Sequence, residues 1–527
     1  MALFAVIILA PLPGQKAQVR ELVAAFPSGD LILDPLHSFK TQELQIATAI
    51  YEGLVSYHPS TLRPIPAAAY RWEVSKGGLI YHFFLRRRAK FSNGDRVLAK
   101  DFRNSWLRIL DPRDEGEYSF LFDVIKGAFD YRSGKVSDPE TVGIRVLEDD
   151  ILEVELARPA GHFLSMLCHM SFVPLHPNYL DSVSWEQDPP IIGNGPFVLV
   201  RRSSGEIMLH RNESYWDRWN VELDAIHIRF MDDPSRIAQG LNDLSIHWAD
   251  SADTRQLENA NMIQFHPMFA TSYLYFRADA APWDDALIRR ALTLLLPWKS
   301  IREGSSAFAT DRLVPALSFY PDVEGVTEPN QEKAFELLDR AGYPDGKKLP
   351  EISILVPRGS AGAVAAEEIA QIWKDKLQTE VRIEAVDYER YTAEVQEGGF
   401  TIGASTWIGD FADPLTFLQM WTSGSKLNDA RYENPRYDDL IDRALADAEM
   451  TRYEKLAEAE RLLLTDEAVV IPLAHPPALN IIDLDRIGGW FPNVLDVHPF
   501  KYMKFKAPQI PQWIAAISSL SLLQPLN

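Results

Sequence analysis

The second half of the chain alternates short apolar runs with longer amphipathic stretches. Residues 352–356 form a short apolar run of the kind found in buried strands, and residues 361–377 repeat apolar positions at helical spacing. A second apolar run, at residues 381–386, predicts the next strand. This strand–helix–strand order predicts an α/β lobe.

The first half of the chain is richer in β-branched and aromatic runs. Residues 79–85 predict a strand by this composition. Residues 99–110 predict a helix, because Phe102 and Trp106 lie four positions apart and Asp111-Pro112 ends the pattern. No repeat of 20–50 residues is visible, so a solenoid is excluded and a mixed α/β protein is predicted.

One segment combines structural and chemical signals. Residues 401–409 predict a strand. The Asp413-Pro414 pair that follows suits the start of a helix, with Asp413 as N-cap and Pro414 at the first helical position. Asp410 has no such structural role and stands beside Trp407 and Phe411, where a carboxylate can receive a cation between apolar walls. The alternative is a loop aspartate that accepts hydrogen bonds from nearby backbone N–H groups.

Composition excludes some functions. The 527 residues carry 53 Lys and Arg against 74 Asp and Glu, a formal net charge of −21, which argues against a general nucleic-acid binder. The length allows about three or four domains. Cys168 is the single cysteine, so an intrachain disulfide is excluded, and its apolar surroundings predict a buried, inert thiol.

Catalytic and cofactor motifs are absent from the sequence. It contains no phosphate-binding loop, no dinucleotide-binding glycine motif, no nucleophile elbow and no H-E-x-x-H zinc motif. His162 and His169 are seven positions apart without an acidic neighbour, so they are interpreted as core or surface histidines. The sequence therefore predicts a protein that is not an enzyme and has neither cofactor nor metal.

Both ends of the chain are apolar. Residues 2–10 have the length of a signal-peptide core but no preceding Lys or Arg, and they are too short to span a membrane. We interpret them as an incomplete export signal, with a first buried strand as the alternative. Residues 507–527 carry no charged side chain, and the sequence leaves their role open.

The chain resembles the family 5 extracytoplasmic solute-binding proteins of ABC transporters, which include oligopeptide- and dipeptide-binding proteins. A single matching block would be weak, but the blocks occur in the family's order across nearly the whole chain. They are Asp34-Pro35 and residues 50–54, 83–112, 193–197, 211–217, 275–292, 334–343, 407–414 and 428–437. The segment at 83–112 is the most specific of them.

The resemblance implies a two-lobed α/β periplasmic-binding-protein fold, class II-like and of cluster C, with an extra subdomain and a two-strand hinge. Lobe I would comprise residues 1–57, 186–268 and 479–527, and the subdomain residues 58–185. Lobe II would comprise residues 269–478. The ligand would bind between the lobes, which close by hinge motion.

The resemblance also implies a function and a site. The protein would capture an extended oligopeptide, held through its backbone like an added strand, and deliver it to the permease of an importer. Asp410 is the position implied to pair with the peptide's α-ammonium group. The other implied ligand-binding residues are Thr406, Trp407 and Ile408 on the same strand, Phe39, Lys40, Thr41 and Glu43 on the opposite lobe, and Tyr388 as an aromatic wall.

One departure from the family pattern concerns the ligand's other end. Ala404 stands where the well-known peptide binder has a basic residue that meets the carboxylate of a short peptide, so Lys40, a more distant arginine or a different ligand length would have to compensate. The alternative ligand classes in the family are oligosaccharides, nickel complexes and haem. The implied partners are the permease and ATPase subunits, with a monomeric protein located outside the cytoplasm and held at the membrane through the permease.

Overall fold

The computed structural model describes residues 19–29, 31–38, 40–114, 116, 118–179, 191–305, 308–317, 319–377, 379–409, 411–425, 427–447 and 449–507. Four predictions made above lie outside these residues. They concern the apolar segment 2–10, the uncharged tail beyond Ala507, Phe39 and Asp410.

The chain begins with one strand and one helix of the first lobe and then builds a small antiparallel sheet. In chain order the elements are β1 (Glu21–Phe26), α1 (Thr41–Ile50), β2 (Val55–Tyr57), β3 (Pro64–Pro66), β4 (Ala69–Ser75), β5 (Ile80–Leu85), α2 (Ala99–Ile109), α3 (Ala128–Arg132), β6 (Ile144–Glu148), β7 (Ile151–Glu155) and α4 (Phe163–Met166). Strands β4 to β7 form a four-stranded sheet in the order β4-β5-β7-β6. Helix α2 packs on this sheet and buries Phe102 and Trp106 completely.

The chain then adds strands to the first lobe and crosses to the second. The first-lobe elements are β8 (Phe197–Arg202), β9 (Glu206–Arg211), β10 (Ala225–Phe230), α5 (Pro234–Asn242), β11 (Trp248–Ala249) and β12 (Ile263–Pro267). The second-lobe elements are β13 (Ala270–Phe276), α6 (Ala286–Leu294), α7 (Trp298–Ser305), α8 (Gln331–Arg340), β14 (Ile352–Pro357), α9 (Ala361–Leu377), β15 (Val381–Val386), α10 (Tyr388–Glu397), β16 (Ile402–Ile408), α11 (Leu415–Leu418), α12 (Pro435–Ala446), α13 (Glu449–Arg461) and β17 (Val470–Ala474).

The chain finally returns to the first lobe through β18 (Pro477–Ile482), β19 (Ile487–Gly488) and β20 (Lys504–Phe505). The first lobe is a seven-stranded sheet in the order β12-β18-β11-β1-β10-β9-β8, and the second is a five-stranded sheet in the order β15-β14-β16-β13-β17. Parallel pairs join β1 to β10 and β14 to both β15 and β16, whereas the pairs that involve β9, β13 and β18 are antiparallel. The predicted α/β class is confirmed.

Two short crossings connect the lobes side by side. The first runs from Pro267 to Ala270 and the second from Ala474 to Pro477. A backbone hydrogen bond joins the two crossings, because Met268 N–H donates to the Pro476 carbonyl at 2.8 Å. The precise limits of lobes and subdomain stay a prediction.

The central strand β13 shows why the second lobe needs helices on both faces of its sheet. All seven of its residues are buried. Tyr273 and Tyr275 belong to one apolar cluster, and Leu274 and Phe276 belong to another on the opposite face. Alternate side chains of a strand point to opposite faces of the sheet. A strand that is apolar on both faces therefore needs packing partners on both sides of the sheet. Within the described ranges, no helix is both long and apolar enough to span a bilayer.

Candidate ligand-binding cleft

A cavity of about 320 Å³ lies between the two lobes, next to the crossing segments. The first lobe contributes helix α1, strand β2 and the C-terminal segment, whereas the second contributes the end of β16. The described lining residues are Thr41, Leu44, Thr48, Tyr51, Glu52, Gly53, Ser56, Tyr57, Pro59, Leu62, Tyr118, Cys168, His169, Met170, Pro196, Met268, Ile408, Gly409, Leu495, Val497, Pro499, Lys501 and Tyr502.

The charged groups of this lining neutralise each other. Among the described lining residues, Glu52 and Lys501 are the ones with a charge at neutral pH, and Lys501 Nζ lies 3.6 Å from Glu52 Oε1. Burial lowers the pKa of Lys501, but Glu52 and Asp217 raise it more, so the amine stays charged. His169 also lines the cavity, and burial lowers its pKa to about 4, which leaves the ring neutral.

Neighbouring aromatic residues complete this charged pair. The indole N–H of Trp216 donates to Glu52 Oε2 at 2.5 Å, and Lys501 Nζ donates to the Tyr215 hydroxyl at 2.9 Å. Both partners are thereby satisfied within the protein. A charged end of a ligand therefore needs a counter-ion from elsewhere in the cleft.

The predicted residues of β16 lie at the end of this strand nearest the cavity. Ile408 lines the cavity and is 60 % exposed. Thr406 is exposed and its hydroxyl is hydrogen-bonded to Ser272 at 2.8 Å. Trp407 is half-buried, packs against the core of the second lobe, and its indole N–H has no hydrogen-bond partner among the described residues.

The predicted residues around α1 differ in exposure. Thr41 lines the cavity. The side chain of Lys40 is 42 % exposed, and its amine lies 3.8 Å from Glu43 Oε1. Glu43 is fully buried, and its carboxylate accepts the backbone N–H groups of Ile32 at 2.9 Å and Lys40 at 3.0 Å. These contacts give Glu43 a structural role at the start of the helix, and its part in ligand binding stays a prediction.

Tyr388 lies at the start of α10 and is 72 % exposed. Its ring stacks on that of Tyr391, with centroids 6.5 Å apart, and it is not among the residues that line the cavity. Its proposed role as an aromatic wall therefore stays a prediction.

Ala404 packs against the second-lobe helix α9. The residue is buried, and a methyl group placed on Gly362, in the first turn of that helix, would overlap its Cβ atom. A long basic side chain has no room at this position unless the helix shifts. The close packing of α9 against β16 therefore requires a small side chain such as Ala404 where the family's peptide binder has a basic residue.

The loop that follows Asp410 already contacts the opposite lobe. Phe411 is buried in the core of the first lobe and stacks on His162, with ring centroids 5.4 Å apart. Ala412 N–H donates to the hydroxyl of Tyr57 at 3.1 Å. Burial lowers the pKa of His162 to about 3, so the stacking ring is neutral. Both histidines considered in the sequence are thus core residues.

Sequence reasoning missed much of the cleft wall. Tyr57, Tyr118 and Tyr502 all line the cavity, as does the segment from Leu495 to Pro499. These residues come from chain segments that are far apart in sequence. The available signals were the family block at residues 50–54, which contains three of the lining residues, and the block at residues 193–197, which contains Pro196.

Comparison with known proteins identifies the family. The model described as "Bacterial extracellular solute-binding proteins, family 5 Middle" matches residues 63–429. The chain belongs to this family. Among relatives of the solute-binding protein, the periplasmic oligopeptide-binding protein OppA of Salmonella typhimurium is 30 % identical over 485 residues, covering 86 % of this chain and 87 % of the relative. The oligopeptide-binding protein OppA of Bacillus subtilis is 27 % identical over 478 residues, with 86 % and 87 % covered.

Solved structures confirm the two-lobed fold of this solute-binding protein. The murein tripeptide-binding protein MppA in its unliganded open form has a TM-score of 0.82 at 24 % identity, and the match covers 94 % of this chain and 99 % of MppA. OppA of Listeria monocytogenes bound to peptide has a TM-score of 0.65 at 23 % identity, with 93 % and 99 % covered. The predicted family and fold class are confirmed.

Proposed function

We propose that this protein is the substrate-binding component of an ABC importer and captures an extended oligopeptide between its lobes. Its relatives at 26–30 % identity include proteins named for binding oligopeptides, dipeptides and murein peptides. Under this proposal the protein binds and delivers its ligand without changing it chemically. The TM-score is higher with the unliganded open form of MppA than with peptide-bound OppA of Listeria monocytogenes. This supports an open arrangement of the two lobes, in which the cleft can receive a ligand.

The edge of β16 is the observation that carries the proposal. Its ladder with β13 continues to Ile408, whereas its ladder with β14 ends at Gly403. The last residues of β16 therefore extend beyond their neighbour on one side, next to the cavity that Ile408 and Gly409 line. An extended peptide can add to such an edge through backbone hydrogen bonds, which are insensitive to its side chains.

Asp410 supplies the missing counter-ion in this proposal. It follows directly after Gly409, which lines the cavity, and the charged groups of the described lining are already paired. An ammonium group buried against this carboxylate would fix the first residue of the peptide. Breaking a buried ion pair by removing one partner costs about 3–5 kcal/mol.

Titration calorimetry with two peptides tests this role. Tri-alanine should bind the wild type and should bind Asp410→Asn at least 100-fold more weakly, as about 3 kcal/mol implies. N-acetyl-tri-alanine should bind both proteins equally weakly, because it has no ammonium group. The matched control is Asp442→Asn, which removes an exposed carboxylate of α12. Equal affinity of Asp410→Asn and wild type for tri-alanine would contradict the assignment.

A different ligand class is tested in the same experiment. One relative, 26 % identical over 481 residues, is named a probable deoxycholate-binding periplasmic protein, and the described cleft lining here is largely apolar. Deoxycholate and a maltooligosaccharide should therefore be titrated beside the peptides. Binding of either of them, with no response to di- to pentapeptides, would overturn the peptide proposal.

The remaining parts of the proposal concern location and partners. The protein would act outside the cytoplasm as a monomer and reach the membrane by docking its closed form on the permease, which an ATPase energises. The proposed lobe limits are those given above, with the crossings as the hinge. Reconstituted transporter should hydrolyse ATP faster with peptide-loaded protein than with either component alone, and an unchanged rate would contradict this.

A further inference from the structure

Two histidines and an aspartate meet close to the crossing between the lobes. His266 lies on β12, one residue before the crossing begins, and Asp496 and His498 lie in the segment after β19. His266 Nε2 is 3.5 Å from Asp496 Oδ1, and His498 Nε2 is 3.0 Å from the same oxygen. The three ligand atoms all lie within 4.8 Å of one another.

Each ring turns its Nδ1 atom toward a backbone carbonyl group. His498 Nδ1 lies 2.9 Å from the carbonyl of Phe491, and His266 Nδ1 lies 3.4 Å from that of Pro267. A carbonyl oxygen can only accept, so a metal ion bound at each Nε2 would leave the ring proton on Nδ1, where it can be donated to that carbonyl. Both Nε2 lone pairs then point at a carboxylate, and His266 Nε2 is a buried atom without a hydrogen-bond partner among the described residues.

A second layer of contacts holds the carboxylate and the fully buried ring in place. The side-chain amide of Asn480 donates from Nδ2 to Asp496 Oδ1 at 2.8 Å. The oxygen of the same amide, Asn480 Oδ1, accepts the indole N–H of Trp248 at 2.8 Å. The ring of Trp490 stacks on His498, with centroids 4.1 Å apart and planes 23° apart. Gln45 on α1 accepts the backbone N–H of His498 at 2.8 Å.

We propose that His266, Asp496 and His498 bind a divalent transition-metal ion, with Zn²⁺ as the first candidate. With its proton on Nδ1, each ring offers an Nε2 lone pair, and a cation can bridge these two nitrogens and the carboxylate. Ligand atoms at about 2.0–2.1 Å from a tetrahedral zinc ion are roughly 3.3 Å apart, close to the two distances observed here. Two imidazoles and one carboxylate suit borderline ions of this class, whereas Mg²⁺ prefers oxygen ligands. Hydrogen bonds to the outer atoms of ligands are typical of built metal sites.

The site is accessible and close to the cleft. The side chains of His266 and Asp496 are 12 % and 16 % exposed, which leaves a route for the ion and room for a water as fourth ligand. Val497, between the two ligands of the C-terminal segment, lines the cavity. A bound ion would therefore fasten one wall of the cleft to β12. The proposal does not depend on which solute the cleft binds.

Metal content and metal-dependent stability test this site in the full-length protein. After treatment with a chelator and dialysis, the wild type should take up one Zn²⁺ per chain and unfold at a higher temperature with Zn²⁺ than without it. Mg²⁺ should have no such effect. His266→Gln should bind Zn²⁺ at least tenfold more weakly, and bound Co²⁺ should show the visible absorption of a four-coordinate ion in the wild type and lose it in the variant.

A matched variant separates this site from unspecific binding. His227 is also a histidine near two carboxylates, those of Glu206 and Glu21, but in the part of the chain that the structure describes it belongs to no group of three ligand atoms that all lie within 4.8 Å of one another. His227→Gln should keep the full Zn²⁺ affinity. Equal loss in His227→Gln, or uptake by His266→Gln equal to that of wild type, would overturn the proposal. If His266→Gln fails to fold, Asp496→Asn and the Co²⁺ spectrum of the wild type decide in its place.

Discussion

The imidazole of His37, two residues after the Asp34-Pro35 block, lies between two carboxylates. Its Nε2 is 2.8 Å from Asp114 and its Nδ1 is 3.3 Å from Asp34, which Arg108 also contacts at 2.6 Å. Hydrogen bonds to Asp114 and Asp34 raise the pKa of His37 to about 9. The Asp34-Pro35 block therefore has a structural role that the sequence did not reveal.

We predict that His37 makes stability depend on pH in the alkaline range. The folded pKa is about 9 and the unfolded pKa about 6.5, so the stabilisation is complete below pH 6.5 and is lost as pH rises through 9. The contribution is at most about 3 kcal/mol, because water screens a side chain that is 29 % exposed. Urea unfolding of wild type and His37→Gln should give a difference in free energy at pH 6 that shrinks by pH 9.5.

His210→Gln is the control for this prediction, because this histidine is exposed on β9. Its free energy of unfolding should follow that of wild type at every pH. If the difference in free energy of unfolding between His37→Gln and wild type stays constant from pH 6 to pH 9.5, the prediction is wrong. The positive charge of the His37 ring would then not be what stabilises the protein.

Single residues also show where sequence reasoning ends. Cys168 is buried, and burial raises its thiol pKa well above the ordinary value, as the apolar pattern predicted. Asp413 was predicted as an N-cap with Pro414 at the first helical position, but α11 begins at Leu415 with Pro414 as its N-cap; the Asp413 carboxylate still accepts the N–H of Leu415 at 3.0 Å. The same carboxylate also forms a fully buried ion pair with Arg452 at 2.8 Å. That partner is 39 positions away, and local spacing carries no information about it.

The Gly-Asn-Gly segment at residues 193–195 packs against the C-terminal end of helix α1 and is hydrogen-bonded to the residues that follow it. Asn194 accepts the N–H of Glu52 at 3.0 Å and donates to its carbonyl at 2.7 Å. A Cβ atom on Gly195 would overlap the backbone where Ile50 meets Tyr51. This glycine is therefore needed for close approach of two backbones beside the residues that line the cavity.

We predict that Gly195→Ala destabilises the protein by about 2 kcal/mol, because the added methyl group forces the two segments apart. Urea unfolding should measure the loss. Gly205→Ala is the matched control, since a Cβ atom there meets nothing within 4 Å. Its free energy of unfolding should lie within about 0.5 kcal/mol of wild type. Equal stability of the two variants would contradict this prediction.

Local patterns predicted the elements better than their arrangement. Residues 361–377 and 381–386 coincide with α9 and β15, because a long periodic helix and a short apolar strand carry unambiguous signals. Residues 401–409 were predicted as a strand, and β16 is one residue shorter at each end, at Ile402–Ile408, because an apolar pattern marks an element but not its exact ends. The order of strands in each sheet depends on long-range packing, and the sequence analysis made no prediction of it.

At the scale of the whole molecule, the cleft depends on contacts between distant parts of the chain. Tyr57 of the first lobe and Ile408 of the second face the same cavity, and Met268 of the first crossing also lines it. The family resemblance implied ligand binding between two lobes. It implied Tyr388 as an aromatic wall but did not indicate Tyr57, Tyr118 and Tyr502 or the buried Glu52–Lys501 pair, because these come together only when distant chain segments fold against each other.

We predict that peptide binding closes the lobes. A peptide that pairs with β16 and contacts the wall around Tyr57 binds the closed arrangement better than the open one, so it shifts the population toward closure. Small-angle X-ray scattering should show the radius of gyration fall with saturating peptide, toward the roughly 24 Å of a compact chain of 527 residues. Asp410→Asn at the same peptide concentration should keep the larger radius, and Asp442→Asn should close as wild type does. Unchanged scattering of wild type under conditions where calorimetry shows bound peptide would mean that the ligand enters a cleft that does not close.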